Sequence, residues 1–475
     1  MALSEVKDTS QHLEAADRYE KGLDPDNVGV TTEKGQRIMR SADYRLLPPL
    51  TVLYGLSFID RTNLGFARIV GMSSDLQLTG NKYNVVLMLF FITYTLFEIP
   101  SNTIIRRVSV RYYLSALIIG WGTVAMCFGF TKTFSQMCGL RVLLGLFEAG
   151  FNPACLYLIS SWYQRYETQK RVAIWFIGGA LISGFNGIIC YGLSRMEGLS
   201  GLRGWRWIFI IPGALTILLA IPFFLIVSDF PEKAQWLKSE EKQWLQRRLM
   251  EDRGEDSEVL RPKHFREAAR DWRLWMMASL LCFPTAGGYT MAFFTPTILN
   301  GFGYSVAASQ CLATPPYIAA AICSILTGIV ADKIRRRGPF IIGYCLVVIL
   351  GLILIGWGPN NGSRLVGVFL GIIGNYCAVP SIATFLMNNT PGSAKRQVAI
   401  PIQTTLGGVG GIIGSLIFRT QDAPAFRPGL YASFGCMSLT ILFTLLLMNE
   451  FRAKNKAADE EGILLEGREG FRYTL

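Results

Sequence analysis

Histidine is nearly missing from this chain: only His12 and His264 occur, both in polar segments. A multi-histidine zinc site and a histidine proton relay inside a membrane are excluded by that inventory. None of the ten cysteines has CxxC spacing, and all fall in or beside apolar runs. They read as small hydrophobes, not as redox or metal ligands. No Walker A sequence is present to cradle a nucleotide phosphate, and no Ser/His or Cys/His set suggests an enzyme, so no cofactor is expected. Charge is also scarce, at 17% of residues, against about 25% in ordinary soluble domains. A cleavable signal peptide is not recognisable either. Residues 1–42 are polar, carry both charge signs and read as a solvated, disordered tail.

What the chain does have is apolar length. Hydrophobic residues make up 51% of it, gathered in runs near the roughly 20 residues that cross about 30 Å of hydrocarbon. The pattern predicts an all-α membrane protein of twelve transmembrane helices. The first six lie near 46–66, 83–105, 112–130, 136–160, 171–194 and 206–228; the second six lie near 273–298, 307–331, 339–357, 364–387, 395–418 and 429–449. The expected divisions are therefore a tail (1–42), a six-helix half (43–228), a central loop (229–272), a second six-helix half (273–449) and a second tail (450–475). Within the loop, residues 236–242 look like a short amphipathic surface helix. The 48 glycines and 30 phenylalanines suit close helix packing in a bilayer.

The net charge of +12 sits mainly between the apolar runs. Lys and Arg concentrate in the central loop and in short turns such as Arg106–Arg111 and Lys333–Arg337, which places both termini in the cytoplasm, facing anionic lipid. No basic domain with interleaved aromatics suggests nucleic acid as a partner. Asn361 heads a sequon in a short predicted outer loop and is the glycosylation candidate. A second sequon, at Asn388, falls at the cytoplasmic end of a span.

Ionisable side chains inside hydrocarbon are costly unless paired or facing water, so they point to function. Five lie deep: Asp60, Arg61, Glu98, Arg141 and Glu148. Asp60 and Arg61 are adjacent and diverge by about 100° on a helix, whereas Asn63 shares a face with Asp60. The pair is either a titrating carboxylate beside an anion-holding cation or an ion pair that locks helices. Arg141, Gly145, Glu148 and Asn152 are spaced 4, 3 and 4 and share one face. A carboxylate desolvated near mid-span suits a group that takes up and releases a proton in each cycle. Arg141, nearer a membrane face, is a structural or gating candidate, as is Glu98, which precedes Pro100. In the second half the candidates are polar but uncharged: Tyr289, Tyr317, Asn375, Gln403 and Thr404. The run Gly407–Gly414 offers a smooth face for close packing or a flexing gate.

Three segments carry a resemblance. Phe58–Ala67 (FIDRTNLGFA) and Arg141–Pro153 (RVLLGLFEAGFNP) are similar to the first- and fourth-helix signatures of the anion:cation symporter family within the major facilitator superfamily, and most similar to its fungal allantoate permease branch. Gly328–Arg337 (GIVADKIRRR) resembles the superfamily's G-x-x-x-D-x-x-x-R-R loop, making Asp332, Arg335 and Arg336 gating candidates. The resemblance spans roughly residues 40–455. It implies two six-helix halves around a central cavity, small carboxylate substrates, proton coupling at Asp60 and Glu148, and anion contact by Arg61. It also implies that Phe151 and Asn152 tune selectivity. The chain departs from the pattern between Ser101 and Arg111, which has arginines but no aspartate.

The expectation is a monomeric, proton-coupled symporter in the plasma membrane, importing a small organic anion by alternating access. Arg61, Asn63, Asn152, Tyr289, Tyr317, Asn375 and Gln403 are its candidate substrate contacts. An exporter of a secondary metabolite is the competing reading, and a non-transporting nutrient sensor a more distant one.

Overall fold

Three of the interruptions in the long helices of this chain fall beside prolines. The computed structural model describes residues 32–105, 108–253, 262–334, 336–391, 393–422, 426–466 and 471–475. In the first half the helices are α1 (Thr32–Ala67), α2 (Lys82–Ile105), α3 (Val110–Phe128), α4 (Phe134–Glu148), α5 (Phe151–Trp162), α6 (Arg165–Gly184), α7 (Asn186–Ser194) and α8 (Gly204–Ile226). Two helices, α9 (Ser239–Arg253) and α10 (Pro262–Arg270), lie in the central segment. The second half holds α11 (Trp272–Ser279), α12 (Cys282–Gly301), α13 (Val306–Leu312), α14 (Thr314–Ile334), α15 (Gly338–Trp357), α16 (Asn361–Asn389), α17 (Ser393–Ile417) and α18 (Arg427–Glu460).

Several predicted spans are thus two stacked helices. Between α4 and α5, Pro153 offers no N–H to the carbonyl of Ala149, and Pro284 does the same to Leu280 between α11 and α12. Pro315 and Pro316 follow the junction of α13 and α14. Taken as continuous rods, ten helices among the described residues are long and apolar enough to cross a membrane. Their outward sides carry exposed leucines and isoleucines, among them Leu218, Leu225, Leu326 and Leu346. Such a belt belongs in hydrocarbon. Among the described residues there is no β-strand of any length.

Within the first half, α3 packs on α8, α2 on α4 and α1 on α6; within the second, α15 packs on α16, α12 on α17 and α14 on α16. The halves meet through α1 against α12, α2 against α17, α6 against α14 and α7 against α13. The glycine run of α17 explains how one helix serves two partners. Gly410 and Gly414 lie on the α12 backbone, where a Cβ on Gly414 would come within 2.5 Å of the Ala286 carbonyl oxygen. Gly408 and Gly411 instead receive Thr95 and Phe91 of α2. Small residues let backbones approach where lipid supplies no hydrophobic drive.

One end of the bundle carries the basic turns, and here it is called the basic end. At the opposite end the halves are in contact. Asn84 Nδ2 donates to the carbonyls of Ser415 (2.6 Å) and Phe418 (2.7 Å), and the Tyr83 and Phe294 rings meet edge to face at 5.7 Å. Gly65 sits directly on the Phe293 backbone.

At the basic end two segments depart from the sequence expectation. Residues 32–42, read as part of a disordered tail, are helical, because Gly35, Ile38, Met39 and Ala42 bury against the bundle and the Trp244 ring. Residues 1–31 lie outside the described residues. The surface helix begins at Ser239, after Trp236, whose ring stacks on Trp162 at 5.7 Å beneath the Arg45 guanidinium.

The second tail is docked on the bundle. α18 runs on to Glu460, and Tyr473 then returns to stack on Phe451 at 4.4 Å. Asn389 and Thr474 exchange two hydrogen bonds, and the Arg337 N–H donates to the Leu475 carbonyl at 2.7 Å. Lys395 bridges Asp271 (2.9 Å) and Glu466 (2.8 Å). These partners hold the carboxyls of Asp271 and Glu466 below the usual range and push the Lys395 ammonium above it, against the opposing effect of burial.

Candidate functional site

The side chains Tyr54, Phe58, Arg61 and Gly65 recur at helical spacing along α1 and form the face it turns to the rest of the bundle. Arg61 is the centre of the site. Its Nε donates to Glu148 Oε2 at 2.6 Å, and Ser57 Oγ donates to the same oxygen at 3.0 Å. Its Nη1 reaches across to the second half, donating to the Tyr289 hydroxyl at 3.3 Å. Aromatic rings enclose the guanidinium: Tyr94 at 4.7 Å, Phe90 at 5.2 Å and Phe58 at 5.4 Å. Arg61 is 2% exposed and Glu148 is fully buried. Arg61 Nη2 and Glu148 Oε1 have no hydrogen-bond partner in the protein.

Glu148 is held there by close backbone packing and a helix end. Gly145, one turn earlier, faces Phe90, Thr93 and Tyr94 of α2 so closely that a Cβ has no room. Glu148 is the last residue of α4, just before the interruption that Pro153 imposes. Asn152 lies beyond that interruption and donates to the Tyr94 hydroxyl at 3.0 Å, joining the wall around Arg61.

A second acid and a second cation lie behind this pair. Asp60 is 4% exposed, and neither of its oxygens accepts a close hydrogen bond, although the Trp121 indole is beside it. Arg141 is 1% exposed, and its guanidinium rests on the Phe128 ring at 5.3 Å and the Phe90 ring at 5.9 Å. Tyr83, Glu148 and Asp60 lie around Arg141, and among the described residues none of them forms an ion pair with it at contact distance. Two carboxylates and two guanidiniums are therefore sealed in the first half, one pair in contact and one pair apart. Buried charges of this kind are several kcal/mol more costly than exposed ones, so the cluster is a place where a proton or an anion changes the balance.

The other sequence candidates divide. Tyr289 joins the site through Arg61. Tyr317 meets Tyr376 edge to face at 5.3 Å and, with Phe58, Thr62 and Asn186, lines a cavity between the halves. Asn375 donates to the Gly371 carbonyl of its own helix, and its buried Oδ1 lies against Gly287 without a donor. Glu98 is 8% exposed, beside Thr404 of α17. Asn63 and Gln403 are engaged in helix packing. Asn63 donates to the Ile208 carbonyl at 3.1 Å and accepts from Asn186, while Gln403 donates to the Met277 and Ile382 carbonyls. Arg336 is exposed at the basic end; the Asp332 side chain and Arg335 lie outside the described residues. Asn361 begins α16 and donates to the Phe302 carbonyl at 2.7 Å, so its amide is already engaged.

Sequence reasoning missed Ser57, Tyr54, Tyr94 and Tyr376. The first three carry a readable signal, the helical spacing of Tyr54 and Ser57 to Arg61 and of Tyr94 to Glu98. No cluster of potential metal ligands occurs among the described residues.

Residues 50–415 match the family model of the major facilitator superfamily. An MFS-type transporter of Penicillium expansum is 30% identical over 92% of this chain and 86% of its own length. A high-affinity nicotinic acid transporter of Saccharomyces cerevisiae is 28% identical over 88% of this chain and 78% of its own. For a putative tartrate transporter of Agrobacterium vitis the figures are 29%, 88% and 93%. Among solved structures, a bacterial homologue of the human lysosomal transporter Spinster, in an inward-facing and occupied conformation, superposes with a TM-score of 0.69 at 17% identity, over 87% of this chain and 98% of that one.

Proposed function

Because the chain belongs to the major facilitator superfamily, and is therefore a multi-pass membrane transporter of a small solute, we propose that it is a proton-coupled symporter importing a small organic anion. The observation that carries this reading is the sealed Arg61–Glu148 pair at 2.6 Å, whose cation also touches Tyr289 of the other half. While Glu148 is ionised, it occupies a guanidinium that bridges the halves. A proton on Glu148 removes the competing acceptor, and Arg61 then takes a substrate carboxylate in its place. Asp60, buried beside this pair without a close donor, is the second group for which a proton relieves an uncompensated charge. The carrier then prefers the anion in its protonated form, and that differential affinity couples the two fluxes. The named substrates of two relatives, nicotinic acid and tartrate, are both carboxylic acids and support an anion.

The finer reading follows the sequence: α1 and α2 complete twelve spans, the basic end lies in the cytoplasm, and the protein is a plasma-membrane monomer of the anion:cation symporter family. The test is transport in proteoliposomes. Glu148→Gln retains substrate exchange but loses accumulation driven by a pH gradient, and Arg61→Ala abolishes uptake of the anion. Normal accumulation by Glu148→Gln sinks the coupling role, and retained affinity in Arg61→Ala sinks the anion-binding role.

A further inference from the structure

The cavity beyond Arg61 is not a second charged site. It opens beside Phe58, the ring that one face of the Arg61 guanidinium covers, and extends to Tyr317 on α14 and Tyr376 on α16. None of its lining residues carries a charge. Tyr317 and Tyr376 hold each other edge to face, at 5.3 Å and 83° between planes. No protein hydrogen bond engages either hydroxyl among the described residues. Thr62 Oγ1, by contrast, already accepts from Asn186 at 2.9 Å.

We propose, building on the symport reading above, that Tyr317 and Tyr376 are the specificity-determining residues, selecting a planar aromatic monocarboxylate with a hydrogen-bond acceptor in its ring. Three features support this. One guanidinium becomes free when Glu148 is protonated, which matches one carboxylate. The second cation, Arg141, is walled off behind the Phe90 and Phe128 rings. A second carboxylate on the substrate would extend into the neutral cavity, where an unpaired charge is strongly disfavoured. The walls favour a flat π-system, since aromatic groups prefer edge-to-face or offset contact with other rings. Finally, two phenol donors without protein partners suit a ring nitrogen or carbonyl as acceptor, and a site built to hydrogen-bond a group discriminates against analogues lacking it.

The experiment is uptake by proteoliposomes under an inward proton gradient, with labelled pyridine carboxylates, benzoate and tartrate as the probes. Wild type favours a pyridine carboxylate over benzoate, and both over tartrate. In the Tyr317→Phe/Tyr376→Phe double variant the preference for the pyridine over benzoate falls about tenfold, the scale of one hydrogen bond. Thermal shift with the same probes on purified protein separates lost affinity from lost folding. The inference is overturned if wild type prefers tartrate, or if the double variant keeps the full preference. Either result leaves symport standing as long as an anion is accumulated by the gradient; if no probe is accumulated at any pH, the symport reading falls and this inference with it.

Discussion

Arg61 Nε and Glu148 Oε2 lie 2.6 Å apart with both side chains closed off from solvent, joining α1 to the last residue of α4. Removing one member of such a pair strands the other. Glu148→Ala is expected to destabilise the protein by about 3–5 kcal/mol, whereas replacing both members with apolar residues of similar volume costs far less. Thermal unfolding in detergent of Arg61→Met, Glu148→Leu and the double variant gives the coupling. Strictly additive losses would show that the pair contributes no mutual stabilisation.

Gly414 tests the close packing of α17 on α12. A leucine there would collide with the Ala286 carbonyl and force α17 away from α12. Overpacking of this sort costs about 1–3 kcal/mol, so Gly414→Leu should lower the melting temperature and the folded yield. Gly435, where an added Cβ meets nothing within 4 Å, is the control; an alanine there should leave both unchanged.

Asn84 latches the closed end through two carbonyls of the other half. Asn84→Ala removes both bonds and shifts the population toward separation at that end. Spin labels at Phe130 and Trp357, both exposed there, should report a larger fraction of long distances. An unchanged distance distribution counts against Asn84 as a latch.

The docked tail has a pH window set by its ionic bridge. Asp271 and Glu466 are held below their usual range, so their contribution is complete above the unfolded carboxyl values, about 3.9 and 4.3, and is lost as pH falls through the lower folded values. Lys395 is held above its usual value, so its contribution is complete below about 10.4 and lost as pH rises through the folded value. Docking should therefore be uniform through the neutral range and fail in strong acid. Hydrogen exchange across residues 471–475 reads this directly, and Lys395→Met should raise exchange there at neutral pH.

The chemistry of the site was legible where it violated its surroundings. Asp60, Arg61, Arg141 and Glu148 stand out because a charge in an apolar run demands a partner, and the structure brings all four into one cluster. Uncharged polar residues carry no such demand. Asn63 and Gln403 satisfy themselves on the carbonyls of neighbouring helices, and nothing in one sequence distinguishes that from facing a cavity. Tyr376 was hidden for a related reason, since an aromatic ring is at home in any membrane helix and its free hydroxyl is visible only in three dimensions. The helix interruptions were readable in principle from Pro153, Pro284 and Pro315. Docking of the tail was not, because its anchors are a few residues, Glu466, Phe471 and Tyr473, in a stretch of polar composition.

The two segments at the basic end have divided loyalties. The tail's bonds run to Arg273, Asn389, Lys395, Arg337 and Phe451, all in the second half or its extension. The start of the central segment makes its own with the first half, through Trp236 on Trp162 and Arg248 on Glu167 at 2.8 Å. Each is thus a passenger on one side of a hinge rather than a strap across it. In the alternating access proposed above, both would ride along intact and leave the swing unbraked.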